Sequence, residues 1–420
     1  MTTTELERPI DPKLRRQSSL RLSGPILLLG VAALLLLLSV VRALTGVDSL
    51  TSSGTVNAAL GLAVPIGMAG LGGLWAERAG VVNIGLEGMM ILGTWFGGWA
   101  GYQWGPWVGL VAAVIGGALG GLIHAVATVS FGVDHIVSGV AINLLGAGAT
   151  RYLSALAFEG VEGGGPTQSP RVANLPSFTV PGLSGVLGSV EDQRIVVVSD
   201  LAGIARGLVT NVSALTLIAV ALVIGSFWVL WRTAFGLRLR SCGENPVAAE
   251  SLGVNVYRYK YAAVVASGAF AGLGGAFLAI VAASLYREGQ TGGRGYIGLA
   301  AMIFGNWRPG GLAAGAGLFG YTDALQLRGG NAVHALLLLV VVLLVGVTVW
   351  NLLQRRPVAA ATGLVAAALL LWWFLATDAV PNQFTFFAPH LTTLLVLSLA
   401  AQRLRMPAAD GQPYRRGQDR

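Results

Sequence analysis

The residues best placed to do chemistry in this chain are polar side chains inside long apolar segments. Asn83 and Glu87 are four positions apart at the start of such a segment. On a helix, this spacing puts both side chains on one face. A carboxylate in an apolar medium is costly unless it is paired. Glu87 is therefore a candidate for a transport path, and the alternative is a structural hydrogen-bond network.

Three further polar residues fall within predicted membrane segments: Asn57, Asn143 and Asp323. Side chains that exchange hydrogen bonds without carrying charge suit a polar solute without net charge. Each of these residues could instead join two helices. We predict a substrate path lined by Asn57, Asn83, Glu87, Asn143 and Asp323, with interhelical bonding as the alternative.

The sequence patterns of a metal site or a nucleotide site are missing. The four His residues show no H-x-x-x-H or H-E-x-x-H spacing, and no G-x-x-x-x-G-K-[ST] loop occurs. We therefore expect a chain that is not an enzyme and has no cofactor of its own. The single Cys, Cys242, excludes an intramolecular disulfide.

A helix signal lies in the hydrophilic stretch 233–260, between two apolar segments. Asn245 suits an N-cap and Pro246 the first helical position, and Gly253 can take the left-handed conformation that ends a helix. The predicted helix has about two turns, and its small face would allow docking into a groove of another protein. A surface helix without a partner is the alternative. The candidate docking residues are Gly243, Glu244, Asn245, Pro246, Ala248, Ala249 and Gly253.

The composition of the chain indicates that these elements lie in a lipid bilayer. The chain is 54% hydrophobic and 11% charged, with a mean hydropathy of +0.70, whereas a soluble domain is about 25% charged. The 60 Gly residues fit close helix packing in lipid. The net charge of +8 does not indicate nucleic acid, because no basic patch is interleaved with aromatic residues. We predict an all-α, polytopic transmembrane bundle.

About 10–12 membrane segments are predicted, and most reach the roughly 20 residues that a bilayer needs. The segments 296–305 and 311–327 are shorter and flank Asn306-Trp307-Arg308-Pro309-Gly310, which indicates a broken or re-entrant pair. Segment 57–75 is similarly Gly-rich, contains Pro65 and ends near Arg78. Paired interrupted segments in two halves of a chain point to a transporter's substrate site.

Basic residues predict the orientation. With the N-terminus in the cytoplasm, the domains are a basic tail at 1–24, a transmembrane domain at 25–402 and a basic tail at 403–420. Within the transmembrane domain, 158–212 is an outer loop and 233–260 a cytoplasmic loop. The cytoplasmic side then holds all but eight of the 27 Lys and Arg residues, as expected for a bacterial inner-membrane protein. The eight are Arg42, Arg151, Arg171, Arg194, Arg206, Arg287, Arg294 and Arg328.

Three stretches carry a resemblance to a known family. The stretch 243–253 resembles the cytoplasmic loop of ABC importer permeases, whose short coupling helix fits a groove on the ATPase subunit. The stretch from Ala76 to Met90, with Asn-Ile-Gly-Leu-Glu-Gly-Met-Met at its end, resembles permeases of the nucleoside branch, often labelled simple-sugar permeases. The stretch 295–311 fits the same branch. The resemblance runs from about residue 55 to about 350.

This resemblance implies an importer permease that moves nucleosides and depends on partners. The implied partners are an ATPase subunit that uses Mg-ATP, a second, related permease and an extracytoplasmic binding lipoprotein. Simple sugars and branched-chain amino acids stay open as substrates. Two other classes are alternatives: an ion-coupled secondary transporter that uses Glu87 and Asp323, and a membrane-embedded enzyme. The capped helix argues against the first, and the lack of a catalytic cluster in 158–212 argues against the second.

Overall fold

The computed structural model describes residues 24–385, 387 and 404–417. They form a bundle of helices, which confirms the predicted fold class. The helices are α1 (Gly24–Thr45), α2 (Ser53–Arg78), α3 (Leu86–Trp104), α4 (Pro106–Ala125), α5 (His135–Phe158), α6 (Leu183–Glu191), α7 (Val198–Val209), α8 (Ala214–Arg232), α9 (Ala234–Glu244), α10 (Pro246–Ser251), α11 (Val256–Ala276), α12 (Arg294–Phe304), α13 (Pro309–Gln326), α14 (Gly330–Leu353), α15 (Pro357–Ala376) and α16 (Asn382–Thr385).

Seven helices in the described part of the chain are long and apolar enough to cross a membrane. The chain is therefore a multi-pass membrane protein. The sequence-based number of 10–12 segments also includes α12, an apolar helix of only 11 residues, and segment 386–402, which lies almost entirely outside the described residues. The seven candidate spans are Asp48–Arg78, Pro106–Ser130, His135–Phe158, Ala214–Arg232, Val256–Ala282, Gly330–Leu353 and Pro357–Ala376.

Glycine allows the central helices to touch through their backbones. The helices α2, α3, α4 and α11 pack on one another at the centre of the bundle. A Cβ on Gly117 of α4 would lie 2.2 Å from the carbonyl oxygen of Gly268 on α11, and a Cβ on Gly268 would lie 2.2 Å from that of Gly117. Neither backbone can yield, so this crossing requires glycine on both helices.

The broken pair predicted around residues 306–310 is present. Helix α12 ends at Phe304, α13 begins at Pro309, and Asn306 and Trp307 between them both have φ +53°. Segment 57–75, by contrast, is not interrupted. Helix α2 is continuous from Ser53 to Arg78 through Pro65, because membrane helices tolerate an internal proline where neighbouring groups compensate for the missing N–H.

The segment 158–212 contains more structure than the loop predicted there. It holds α6 and α7 and a two-stranded antiparallel sheet, in which β1 (Ser177–Phe178) pairs with β2 (Val212–Ser213). Helix α7 packs against α2. The predicted tail 1–24 lies outside the described residues except for its last residue, and of the predicted tail 403–420 the structure describes residues 404–417.

Candidate functional site

The carboxylate of Glu87 lies at the start of the short helix α12. Its Oε1 accepts a hydrogen bond from the N–H of Gly293 at 2.9 Å, and its Oε2 accepts one from the N–H of Gly295 at 2.7 Å. Glu87 is 7% exposed. The first N–H groups of a helix have no partner within it, and its positive dipole end favours an anion. Glu87 therefore caps α12 from another helix.

Asn143 joins three elements beside this cap. Its Oδ1 accepts from the N–H of Gly88 at 2.7 Å. Its Nδ2 donates to the carbonyl of Ile84 at 3.0 Å and to the hydroxyl of Tyr296 at 2.9 Å. Asn143 thus holds α5 against the start of α3 and the first turn of α12, and Tyr296 remains 49% exposed.

Asp323 reaches the same turn from α13. Its Oδ2 lies 3.4 Å from Nη2 of Arg294, the first residue of α12, and both side chains are mostly buried. The structure therefore brings together three of the five residues predicted for the path. These three residues and their partners Arg294 and Tyr296 form a group that we call the α12 cap. The α12 cap thus comprises Glu87, Asn143, Arg294, Tyr296 and Asp323.

Asn83 does not share a helical face with Glu87, so that premise was wrong. Helix α3 begins only at Leu86. Asn83 precedes it, with Oδ1 accepting from the N–H of Gly85 at 3.0 Å and Nδ2 donating to Oγ of Ser267 at 2.8 Å. An Asn side chain that bonds to the backbone two residues later favours a turn over a helix.

Asn57 lies apart from the α12 cap. Its Nδ2 donates to the carbonyl oxygens of Gly207 at 3.2 Å and Thr210 at 2.8 Å. These bonds attach α2 to the end of α7. The contacts of Asn57 are those of a side chain that joins two elements, the alternative stated for it above.

Helix α10 forms as its sequence predicts. The Oδ1 of Asn245 accepts from the N–H of Ala248 at 3.0 Å, Pro246 occupies the first helical position, and Gly253 has φ +82°. With six residues, α10 is slightly shorter than two turns. We call the end of the bundle that carries α9 and α10 the α10 end.

The exposed face of α10 matches the predicted docking residues only in part. Ala249 is 3% exposed and packs against Cys242 and Val256, so it belongs to the base of α10. Gly243 is also buried, because its Cα packs on the backbone of α2. The exposed residues of α10 and the turn after it are Val247, Ala248, Ser251, Leu252 and Gly253.

Trp307, in the turn between α12 and α13, joins this turn to α2 and, through Arg78, to α9. Its Nε1 donates to Oε2 of Glu77 at 2.5 Å. Arg78 donates to the carbonyl of Trp307 from Nε at 3.0 Å and from Nη2 at 2.7 Å, and its Nη1 lies 3.8 Å from the carboxylate of Glu244. These contacts join α2, the α12–α13 turn and α9. We call Glu77, Arg78, Glu244 and Trp307 the Trp307 cluster.

Sequence reasoning did not identify the Trp307 cluster as functional. The available signal was that two apolar segments end similarly, in Trp75-Ala76-Glu77-Arg78 and in Trp307-Arg308-Pro309. The structure shows that the two ends bind each other. Asp410, from the segment 404–417, is also buried there, and this burial raises the pKa of its carboxyl to about 7.

Helix α12 places the α12 cap and the Trp307 cluster at its two ends. Its 11 residues span about 16 Å at 1.5 Å per residue. A Cβ on Gly298 would lie 2.7 Å from the carbonyl of Ile66, so α12 packs closely on α2 along its length. Helix α12 is therefore the short element that connects the α12 cap with the Trp307 cluster. No cluster of metal-binding side chains occurs among the described residues.

The sequence of this chain is similar to those of known transport proteins. The family described as "Branched-chain amino acid transport system / permease component" matches residues 55–348. The guanosine ABC transporter permease protein NupQ of Bacillus subtilis is 34% identical over 371 residues, which are 86% of this chain and 96% of that protein. The nucleoside ABC transporter permease protein NupC of Lactococcus lactis is 30% identical, over 83% of this chain and 93% of that protein.

A third relative has a different named substrate. The putative glucose ABC transporter permease protein TsgC13 of Haloferax volcanii is 32% identical over 88% of this chain and 99% of its own length. No solved structure matches the chain.

Proposed function

Since this chain belongs to the family of branched-chain amino acid transport system permease components, and is thus the membrane permease subunit of an ABC importer, we propose that it carries nucleosides inward. ATP hydrolysed by a partner subunit drives the transport. The observation that carries this proposal is the 34% identity over 96% of a guanosine permease. A second relative is named for nucleosides and a third for glucose.

The polar groups of the α12 cap support a neutral solute. Its two carboxylates are already engaged, Glu87 with two backbone N–H groups and Asp323 with Arg294. Tyr296 is 49% exposed, and its hydroxyl, which accepts a hydrogen bond from Asn143, still has its own proton to donate. Such a hydroxyl can bond to ribose hydroxyls and base edges. The ammonium group of an amino acid would need a carboxylate that is not otherwise paired.

The proposal includes the partners that the family resemblance implies. They are an ATPase subunit at the α10 end, a second permease and an extracytoplasmic binding lipoprotein. The exposed face of α10 suits the first of these, because it presents Val247, Ala248, Ser251 and Leu252 without side-chain charge. The ion-coupled alternative is less well supported, since it gives this face no partner.

We expect the α10 end to face the cytoplasm, because most basic residues lie on that side. A Ser251→Cys variant places an exposed thiol on α10. The native Cys242 gives little background, because it is fully buried and burial raises the pKa of its thiol to about 11. A membrane-impermeant maleimide should label the variant in inside-out vesicles prepared without the ATPase subunit, and it should not label the variant in intact cells. Efficient labelling of intact cells would reverse the orientation.

Uptake by the purified complex tests the proposed function. The tagged chain is purified from its own membranes with its co-purifying subunits and reconstituted in liposomes with the binding lipoprotein. Labelled guanosine should be taken up only when ATP is supplied at the α10 end, and glucose or leucine in tenfold excess should not compete. Full competition by glucose would contradict the nucleoside assignment.

The same preparation tests whether α10 binds the ATPase. Val247 is 45% exposed, so Val247→Arg should fold but place a charge against the groove of the partner. Co-purification of the ATPase should fall by at least about tenfold, the effect of roughly 1.4 kcal/mol or more. Val161→Arg is the matched control, since Val161 is an exposed Val in the segment 158–212. Equal ATPase recovery with both variants would mean that α10 is not the docking helix.

A further inference from the structure

The segment 404–417 lies across the α10 end of the bundle and makes polar contacts with several elements there. The N–H of Arg405 donates to Oδ1 of Asn306 at 2.7 Å, in the turn between α12 and α13. The N–H of Ala409 donates to the carbonyl of Gly243 at 2.8 Å, at the end of α9. The Nε of Arg416 lies 2.8 Å from Oε1 of Glu250, on α10. One short segment therefore contacts the α12–α13 turn, α9 and α10.

Buried residues anchor the middle of this segment. Pro407, Ala409 and Asp410 are buried, whereas most of their neighbours in the segment are exposed. A Cβ on Gly80, at the end of α2, would lie 3.2 Å from the carbonyl of Ala409. The backbone of the segment thus lies directly on the α2–α9 contact, and its position is set by packing as well as by hydrogen bonds.

Tyr414 holds the base of α10 from one side. Its hydroxyl donates to Oε2 of Glu250, so that Tyr414 and Arg416 together engage both oxygens of that carboxylate. The Tyr414 ring lies 5.5 Å from the ring of Tyr257 and packs against the small apolar cluster that contains Ala249. A helix of six residues has little stability of its own. Its orientation therefore depends on contacts of this kind.

We propose that the segment 404–417 is a strap that fixes the orientation of α10 and forms one wall of the surface on which the ATPase subunit docks. This inference rests on the proposed function. Val247 and Leu252, on the exposed face of α10 and the turn after it, are three and two positions from Glu250 in the chain. Glu250 contacts the strap. A partner that receives α10 in a groove therefore also meets the strap.

Charge specifies the chemistry of the partner's groove. Arg405, Arg415 and Arg416 of the strap are all exposed. The wall of the groove that faces the strap should accordingly carry carboxylates. The strap also gives α10 a second connection to the α12–α13 turn, through Arg405 and Asn306, beside the connection through the Trp307 cluster.

A charge reversal tests the strap in the full-length permease. The probe is the ATPase subunit that supports guanosine uptake in the experiment above, and its affinity is measured on permease in nanodiscs of neutral lipid. Arg416→Glu should weaken ATPase binding about fivefold, because it replaces the attraction to Glu250 with repulsion. Combining it with Glu250→Arg should restore part of the lost affinity, to about the level of Tyr414→Phe, because the exchanged pair still attracts but the Tyr414 hydroxyl has lost its acceptor. Tyr414→Phe, which keeps the ring, should weaken binding less than Arg416→Glu.

Arg415→Glu is the matched control. It makes the same change of charge at the neighbouring exposed position, where Glu250 is not the partner, so Glu250→Arg should not restore any loss that it causes. Wild-type affinity in both Arg416→Glu and Tyr414→Phe would overturn the strap. A loss seen only in nanodiscs with anionic lipid would also overturn it, because the segment would then bind lipid headgroups.

The failure of this inference can be told apart from failure of the proposed function. If the strap variants bind the ATPase normally and Val247→Arg does not, only the strap is wrong. If wild-type permease co-purifies with no ATPase, the proposed function itself fails.

Discussion

Replacing Glu87 with Ala is expected to reduce guanosine uptake by about a hundredfold or more. The substitution removes the acceptor of the Gly293 and Gly295 N–H groups and leaves both at the start of α12 without that partner. A buried donor left unsatisfied costs about 1–3 kcal/mol, so leaving two unsatisfied weakens the docked position of α12 by about 2–6 kcal/mol. The measurement is the initial rate of uptake in the reconstituted complex.

Glu87→Gln should have an intermediate effect. One amide oxygen can still accept from a backbone N–H, but the amide nitrogen is a donor and would face the second N–H. Glu288→Ala is the matched control, since the Glu288 carboxylate is more exposed and lies 3.8 Å from Arg151. It should transport at nearly the wild-type rate.

The Glu87 variants also separate the two transport mechanisms. Because Glu87 acts in this proposal as a hydrogen-bond acceptor for α12, wild-type uptake at constant ATP should not respond to a proton uncoupler. If Glu87→Gln abolishes uptake and wild-type uptake collapses with the proton gradient at constant ATP, the carboxylate is a coupling site. The ion-coupled mechanism would then replace the ATP-driven one.

Replacing Gly243 with Ala should uncouple ATP hydrolysis from transport. A Cβ at this position would lie 2.4 Å from the carbonyl oxygen of Arg78 and 2.9 Å from the backbone nitrogen of Gly80. Backbone atoms cannot move aside as a side chain can, and such overpacking costs about 1–3 kcal/mol. The end of α9 must therefore move away from α2. We expect uptake to fall by about tenfold or more while the complex still hydrolyses ATP.

Gly225→Ala provides the control for this prediction. Gly225 lies within α8, and a Cβ there would have no atom within 4 Å. Alanine is the better helix former by about 1 kcal/mol, so this variant should be as stable as wild type or more so. Both variants are assayed for uptake and for substrate-stimulated ATP hydrolysis. Equal coupling in the two would show that the α9–α2 contact does not transmit the signal.

Helix α10 is the element that the sequence predicted most completely. Its bounds are defined by residues within it or directly beside it, since Asn245 caps it, Pro246 starts it and Gly253 follows its end. The same holds for the break between α12 and α13, because Pro309 begins the second helix. The buried face of α10 was predicted wrongly, since the neighbours of Ala249 include Val256 and Tyr414, which other elements bring there.

The α12 cap could be predicted only in part. The sequence identified Glu87, Asn143 and Asp323 because polar groups in an apolar segment must find partners. It did not identify the partners, which for Glu87 are N–H groups more than 200 residues away. The predicted helical pairing of Asn83 with Glu87 failed because a hydrogen bond within residues 83–85 competes with the helix.

The sequence by itself determined the medium, the fold class and the family, because apolar composition, helix caps and short motifs are properties of neighbouring residues. Only the tertiary structure decided which polar groups meet at α12, that Trp307 joins α2 to the α12–α13 turn, and that the segment 404–417 crosses α10. Those contacts join residues far apart in the chain, and many of them use backbone N–H and C=O groups, which every residue carries. The side-chain types along the sequence therefore do not indicate which distant group each of them binds.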